Sequence, residues 1–182
     1  QAGIVFDQAT AMVRTDEDLN RNLKVYRNSI VHEKSGSFLK AISSEAASKY
    51  GYNASFIVMD EFFVQKDDSL WTALTTSVAS RTQPLTIAIT TAGYDKNSIC
   101  YKIQEYGEKV FNGVIEDDNF YYCVYSTPLE DDWTTEESWR KANPGLDSGI
   151  VKIDYLKNEC EKAPNASFES VDEFRAKMDK RF

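Results

Sequence analysis

The sequence predicts an α/β fold: a parallel sheet with flanking helices, followed by a mostly helical segment. Three observations carry this. Phe56–Met59 is an apolar run without alternation, the pattern of a parallel strand buried on both faces. Leu85–Thr91 reads as a second strand. The stretch between them places Leu70, Trp71, Leu74 and Val78 on one helical side, so residues 56–91 read strand, helix, strand. Such a unit pairs its strands in parallel through a right-handed crossover.

The other elements follow in chain order. "QAGIVFDQATAMV" reads as the tail of a helix. Thr15 or Asp16 is placed to cap a second helix that carries Leu19, Leu23 and Tyr26 on one face. "SIVHEKSGSFLKAIS" predicts a hairpin turning at Ser35-Gly36. Asp67 or Asp68 is a cap for the crossover helix, and Pro84 marks its end. A further helix sets Ile99, Ile103, Tyr106 and Val110 in register, and "NFYYCVYS" is a further strand candidate. Two capping boxes stand downstream, Thr134-x-x-Glu137 and Ser170-x-x-Glu173. The first opens a short helix that ends at Asn143-Pro144-Gly145. No internal repeat or low-complexity tract interrupts the chain.

The chain has 182 residues, enough for a domain with a real core. Its net charge of -8 is unevenly spread. Residues 1–110 hold 13 acids and 12 bases, whereas residues 111–182 hold 16 acids and 9 bases. A surface built to wrap nucleic acid shows a basic excess, so any DNA contacts are expected mostly elsewhere. No apolar run approaches the ~20 residues of a membrane helix. Cys100, Cys123 and Cys160 lie far apart, and with a single histidine no familiar zinc spacing is available. They read as buried free thiols of a reducing cytoplasm. The chain opens at Gln1 with no signal peptide, which suggests a piece of a longer polypeptide.

The chemistry concentrates at Asp60 and Glu61. In an open α/β sheet, ligands sit beyond the carboxyl ends of the strands, where this pair stands. Adjacent carboxylates repel each other and resist burial. A magnesium ion relieves both difficulties, because it prefers carboxylate and water oxygens. Four apolar residues, then Asp, then Glu is the Walker B arrangement of nucleoside triphosphatases. There Asp60 would hold Mg²⁺, and Glu61 would polarise the water that attacks the γ-phosphate. The alternative is a solvated strand end with both acids in water. "ITTAG", Ile89 to Gly93, ends the neighbouring strand. Thr90 and Thr91 would then lie beside the acids, as contacts to the γ-phosphate or as a relay to a moving element, and Gly93 would permit a sharp turn. Equally, threonine suits strands and glycine suits turns.

The run from Tyr50 to Lys102 resembles the large terminase subunit of tailed bacteriophages. The matching motifs are Gly51 with Asn53, Asp60-Glu61, Arg81 with Gln83-Pro84-Leu85, and Ile89 to Gly93. "SWRKANPGL", Ser138 to Leu146, and the opening helix also resemble this family, so the resemblance spans nearly the whole chain. It implies a partial P-loop NTPase sheet of RecA-like type. Residues 1–112 would be the C-terminal half of the ATPase domain, and 113–182 a linker toward a nuclease domain. The parent would hydrolyse ATP with Mg²⁺, drive double-stranded DNA into the procapsid and cleave concatemers as an endonuclease. Its partners would be the portal protein and the small terminase subunit, in a homo-oligomeric ring in the host bacterial cytoplasm, with no membrane involved. The family's phosphate loop has no counterpart here, since no glycine precedes a lysine, and the isolated chain is expected to be inactive. Two alternatives stand: another strand-Asp-Glu ATPase such as a DNA helicase, and a non-catalytic interaction module.

Other acidic runs, Glu116–Asp118 and Glu130–Asp132, read as solvated surface rather than a nuclease metal cluster. "STPLEDD" departs from the family pattern, which often carries an aspartate slightly earlier. Arg81 is either an arginine finger or a cation favoured at a helix C-terminus. His32 reads as surface. Tyr101, Tyr106, Tyr121, Tyr122 and Tyr125 read as packing residues rather than base-stacking platforms, because no basic residues interleave them.

Overall fold

The structure is a computed structural model that describes residues 2–42, 51–65, 67–91, 93, 95–128 and 130–162. The capping box at Ser170 lies outside the described residues. The chain forms two compact units. One runs up to Phe56 and adds Ser69–Leu85; the other comprises Ile57–Asp68 and the chain from Thr86 onward.

In the first unit, helix α1 (Ala2–Thr15) is followed at once by α2 (Glu17–Asn22). Asp16 caps α2, its carboxylate accepting the Leu19 N–H at 2.8 Å. This short helix ends at Leu23, so Tyr26 does not share a helical face with Leu19. Strand β1 (Lys24–Val25) has already begun, pairing with β2 (Ser29–His32). β2 pairs antiparallel with β3 (Ser37–Lys40) through the expected hairpin. Gly36 takes φ 71° in the turn, and His32 Nδ1 lies 2.7 Å from Ser35 Oγ. Helix α3 (Ser69–Ser77) buries Leu74. It ends well before Pro84, because Thr75, Thr76 and Ser77 donate their hydroxyls back to carbonyls of the preceding turn.

Strands β4 (Phe56–Met59) and β5 (Leu85–Ala88) form a two-stranded parallel sheet. Leu85 N–H donates to Ser55 O at one end and Ile89 N–H to Met59 O at the other. Burial on both faces, expected from the apolar run, is not what the strands show. Ile57 and Met59 are buried, whereas Phe56, Val58, Leu85 and Ile87 are exposed. An unalternating apolar sequence permits burial on both faces, but a second covering layer must supply it, and here only one face is covered. β5 is also shorter than Leu85–Thr91, because the chain leaves the ladder after Ala88 to enter the turn described below.

The second unit continues with helix α4 (Ile99–Phe111), capped by Ser98, whose hydroxyl accepts the Tyr101 N–H. Residues 119–126 form no strand among the described residues. Side chains fix this segment against α4 instead. Phe120 meets Tyr106 edge-on at 5.0 Å between ring centroids, and the Tyr122 ring packs against the bare backbone of Gly107. Tyr106 donates its hydroxyl to Asp117 at 2.7 Å. Tyr121, by contrast, is exposed, so it is not a packing residue. Helix α5 (Glu136–Ala142) starts one residue later than the capping box implied. Thr135 accepts the Ser138 N–H, and Thr134 instead donates to Asp132. Asn143 closes α5. Trp139, Ala142 and Leu146 pack with Leu156 of α6 (Ile153–Lys162) into a small core, flanked by Trp133 and Ile153. The three cysteines are free, Cys100 buried and the other two half-buried.

Candidate functional site

The site grows from the carboxyl ends of β4 and β5. Asp60 directly follows β4 and is half-buried; its Oδ1 accepts the Glu61 N–H at 3.0 Å. Glu61 then turns the chain, with φ 50° and ψ 52°, the one non-glycine residue in the left-handed region among the described residues. For an L-residue that conformation costs about 1–2 kcal/mol. A single 3₁₀ turn, Phe62–Val64, follows and buries Phe62. Its backbone is tied to the neighbouring strand: Phe62 N–H donates to Ile89 O at 3.0 Å. Phe63 N–H donates to Thr90 Oγ1 at 2.9 Å.

Thus Asp60, Glu61, Thr90 and Thr91 stand at the same end of adjacent parallel strands, as the strand–helix–strand reading expected. Thr90 Oγ1 in turn donates to Thr91 O at 2.8 Å, and Cys100 Sγ on α4 lies 3.9 Å from it. Gly93 is also in place, against the 3₁₀ turn. Its missing Cβ matters because one built there would lie 3.2 Å from Phe63 Cβ. Ala92, between them in the motif, lies outside the described residues. Phe63 is the residue that sequence reasoning missed. Its only signal was its place two positions after Glu61, which does not reveal that Thr90 and Gly93 both bear on it.

Glu61 Oε2 is buried and makes no hydrogen bond. Leaving such an acceptor unpaired costs about 1–3 kcal/mol, so the arrangement suits a group that is satisfied by a ligand. Asp60 and Glu61 offer hard oxygen donors, and no group of three or more acidic, histidine or cysteine side chains among the described residues forms a closed cage. Mg²⁺ fits that donor set, because it takes one or two carboxylates and fills its shell with water and phosphate oxygens.

Several of the other sequence candidates have structural partners. In the first unit, Arg81 donates from Nε and Nη2 to the Asn53 carbonyl, at 3.1 and 2.5 Å, while Ser80 Oγ donates to Asn53 Oδ1 at 2.9 Å. The Gly-x-Asn and Arg-x-Gln-Pro-Leu motifs are therefore one clamp. Asp131 pairs with Lys141 at 2.5 Å, and Asp132 accepts Thr134 N–H at 2.9 Å. Asp117 holds Tyr106 and Asn119.

The family described as terminase large subunit, ATPase domain, matches residues 1–109, more than half of the chain. The chain belongs to that family. The family is an ATPase family in general terms, and that is the setting in which Asp60 and Glu61 are read below. The chain is similar in structure to the large terminase of bacteriophage HK97, with a TM-score of 0.81 at 25% sequence identity. The match covers 97% of this chain and 36% of that one. Protein YmfN of Escherichia coli K12 is 32% identical over 108 residues, covering 59% of this chain and 24% of that protein. The chain thus spans about a third of the length of the first of these relatives and about a quarter of the second.

Proposed function

We propose that this chain is the second half of a terminase ATPase domain, carrying the Walker B and coupling elements of a DNA-packaging motor. The observation that carries this reading is the pairing of Asp60-Glu61 with Thr90-Thr91 at one sheet edge, in a chain of this family. The complete polypeptide would hydrolyse ATP to move double-stranded DNA into a procapsid, and would cleave concatemeric DNA with a nuclease domain beyond residues 113–182. It would work as a homo-oligomeric ring with the portal protein and the small subunit, in the host bacterial cytoplasm.

Asp60 would hold the nucleotide-bound Mg²⁺, which when bound neutralises phosphate charge. Glu61 takes a proton from the attacking water as the water oxygen bonds to Pγ. The bond from Pγ to the β–γ bridging oxygen breaks, and ADP leaves. Thr91 is the hydroxyl suited to sense the γ-phosphate, because Thr90 already donates its proton to Thr91 O. Thr90 and Gly93 complete the coupling segment.

The test uses the complete polypeptide. Glu61→Gln is expected to keep ATP bound while hydrolysis falls by at least about a hundredfold, the scale of a lost general base. Asp60→Ala is expected to weaken Mg²⁺-ATP binding itself. Equal loss of binding in both variants contradicts the assignment. The 182-residue chain alone, lacking a Gly-x-x-x-x-Gly-Lys loop, is expected to show no turnover above a Glu61→Ala control.

A further inference from the structure

We infer that Thr90 is a positioning residue for Glu61, acting through the Phe63 amide rather than through the phosphate. The inference rests on the assignment of Glu61 as general base.

The geometry gives three reasons. First, Glu61 sits in a conformation that is costly for an L-residue, a cost that its neighbours must offset to hold it there. On its N-terminal side, β4 is tied down by the bond from Ile89 N–H to Met59 O. On its C-terminal side, the turn is tied by Phe62 N–H to Ile89 O and by Phe63 N–H to Thr90 Oγ1. The first is a backbone bond that sequence cannot alter, whereas the second depends on a hydroxyl. Second, Thr90 has one proton, and it goes to Thr91 O. A phosphate oxygen only accepts, so Thr90 as placed has no donor for it. Third, Gly93 reaches the same residue from a different direction. The 3.2 Å approach to Phe63 Cβ is tight enough that any side chain at 93 pushes on the turn. Two residues of the coupling segment therefore converge on Phe63, and a change in Phe63 moves the backbone that aims the Glu61 carboxylate. Any movement of residues 90–93 then reaches the base without touching nucleotide.

The experiment measures ATPase kinetics in the complete polypeptide carrying this chain, for Thr90→Val, Thr90→Ser, Gly93→Ala and Glu61→Gln. Thr90→Val keeps shape and removes the acceptor. It is expected to lower kcat by about tenfold or more, within the range that a ~1 Å misplacement costs, with KM for ATP within about twofold. Thr90→Ser restores the acceptor and is expected to recover kcat to within about threefold. Gly93→Ala should lower kcat with the same unchanged KM, and it serves if the valine variant does not fold. Hydrogen exchange across residues 61–64 is expected to quicken at least about threefold in Thr90→Val and not in Thr90→Ser. A valine variant with the parent's kcat, or a serine variant as slow as valine, overturns the inference, as does a folded Gly93→Ala at full rate. If Glu61→Gln itself hydrolyses at the parent's rate, the base assignment fails. If Glu61→Gln is inactive while Thr90→Val is not, only the positioning role fails.

Discussion

Replacing the catalytic candidate Glu61 by glycine is expected to make the fold more stable. The left-handed backbone at φ 50° and ψ 52° costs an L-residue about 1–2 kcal/mol, and glycine occupies it freely. The unpaired, buried Oε2 adds about 1–3 kcal/mol of lost solvation, which disappears with the side chain. Against these stands the extra unfolded-state entropy of glycine, about 0.5–1 kcal/mol. The sum favours Glu61→Gly by about 3 kcal/mol. Glu61→Ala separates the contributions, since it removes the carboxylate and keeps the backbone cost. It should gain less than glycine, by about 0.5–1 kcal/mol. The assay is urea unfolding of the 182-residue chain, with stabilities compared at equal m-values. The complete polypeptide carrying either substitution should at the same time lose hydrolysis, the trade expected where function holds a residue in an unfavourable state. A glycine variant no more stable than the alanine variant refutes the backbone argument. If both are less stable than the parent, Oε2 has a partner and the argument from burial fails.

Two further outcomes concern the frame around the site. A Cβ at Gly107 would lie 2.3 Å from Tyr122 Cδ2, so Gly107→Ala should destabilise by about 1–2 kcal/mol despite its better helix propensity; Tyr122→Ala in the same chain should cancel most of that loss in a double-mutant cycle. The Asp117 carboxyl is held below the usual carboxylate range, first by the Tyr106 hydroxyl and then by the Asn119 N–H. Its stabilisation is therefore present above the unfolded carboxylate value, near pH ~4, and is lost as pH falls through the lowered folded value. The stability gap between the parent and Tyr106→Phe should shrink from about pH 6 to about pH 2, measured by urea midpoints, and a constant gap would contradict the cause assigned.

Much of this architecture was legible because it follows local rules. The Asp16 cap, the Gly36 hairpin, the α4 register and the strand–helix–strand order each depend on residues close in sequence. The acidic pair was legible for the same reason: an apolar run fixes the strand, and the strand fixes where its next two residues fall. What sequence reasoning missed depends on partners that spacing does not encode. Residues 119–126 have strand composition but find no ladder, because Phe120 and Tyr122 pack onto α4 instead. Phe56 and Val58 look like core residues, yet their face of the sheet is uncovered. Thr90 and Gly93 look like ordinary strand and turn residues until their common neighbour, Phe63, is in place.

The crossover between β4 and β5 is bracketed at both ends. Near its start, Phe63 is held by Thr90; near its finish, Ser80 and Arg81 grip Asn53. Neither bracket uses a residue of α3, so changes within that helix leave the bonds of both brackets in place. Among relatives, gains and losses of whole helical turns should accumulate there, while the spacing from Asn53 to Phe63 and from Ser80 to Gly93 stays constant. The same helix is a place to attach a fluorophore, because a label there touches neither bracket.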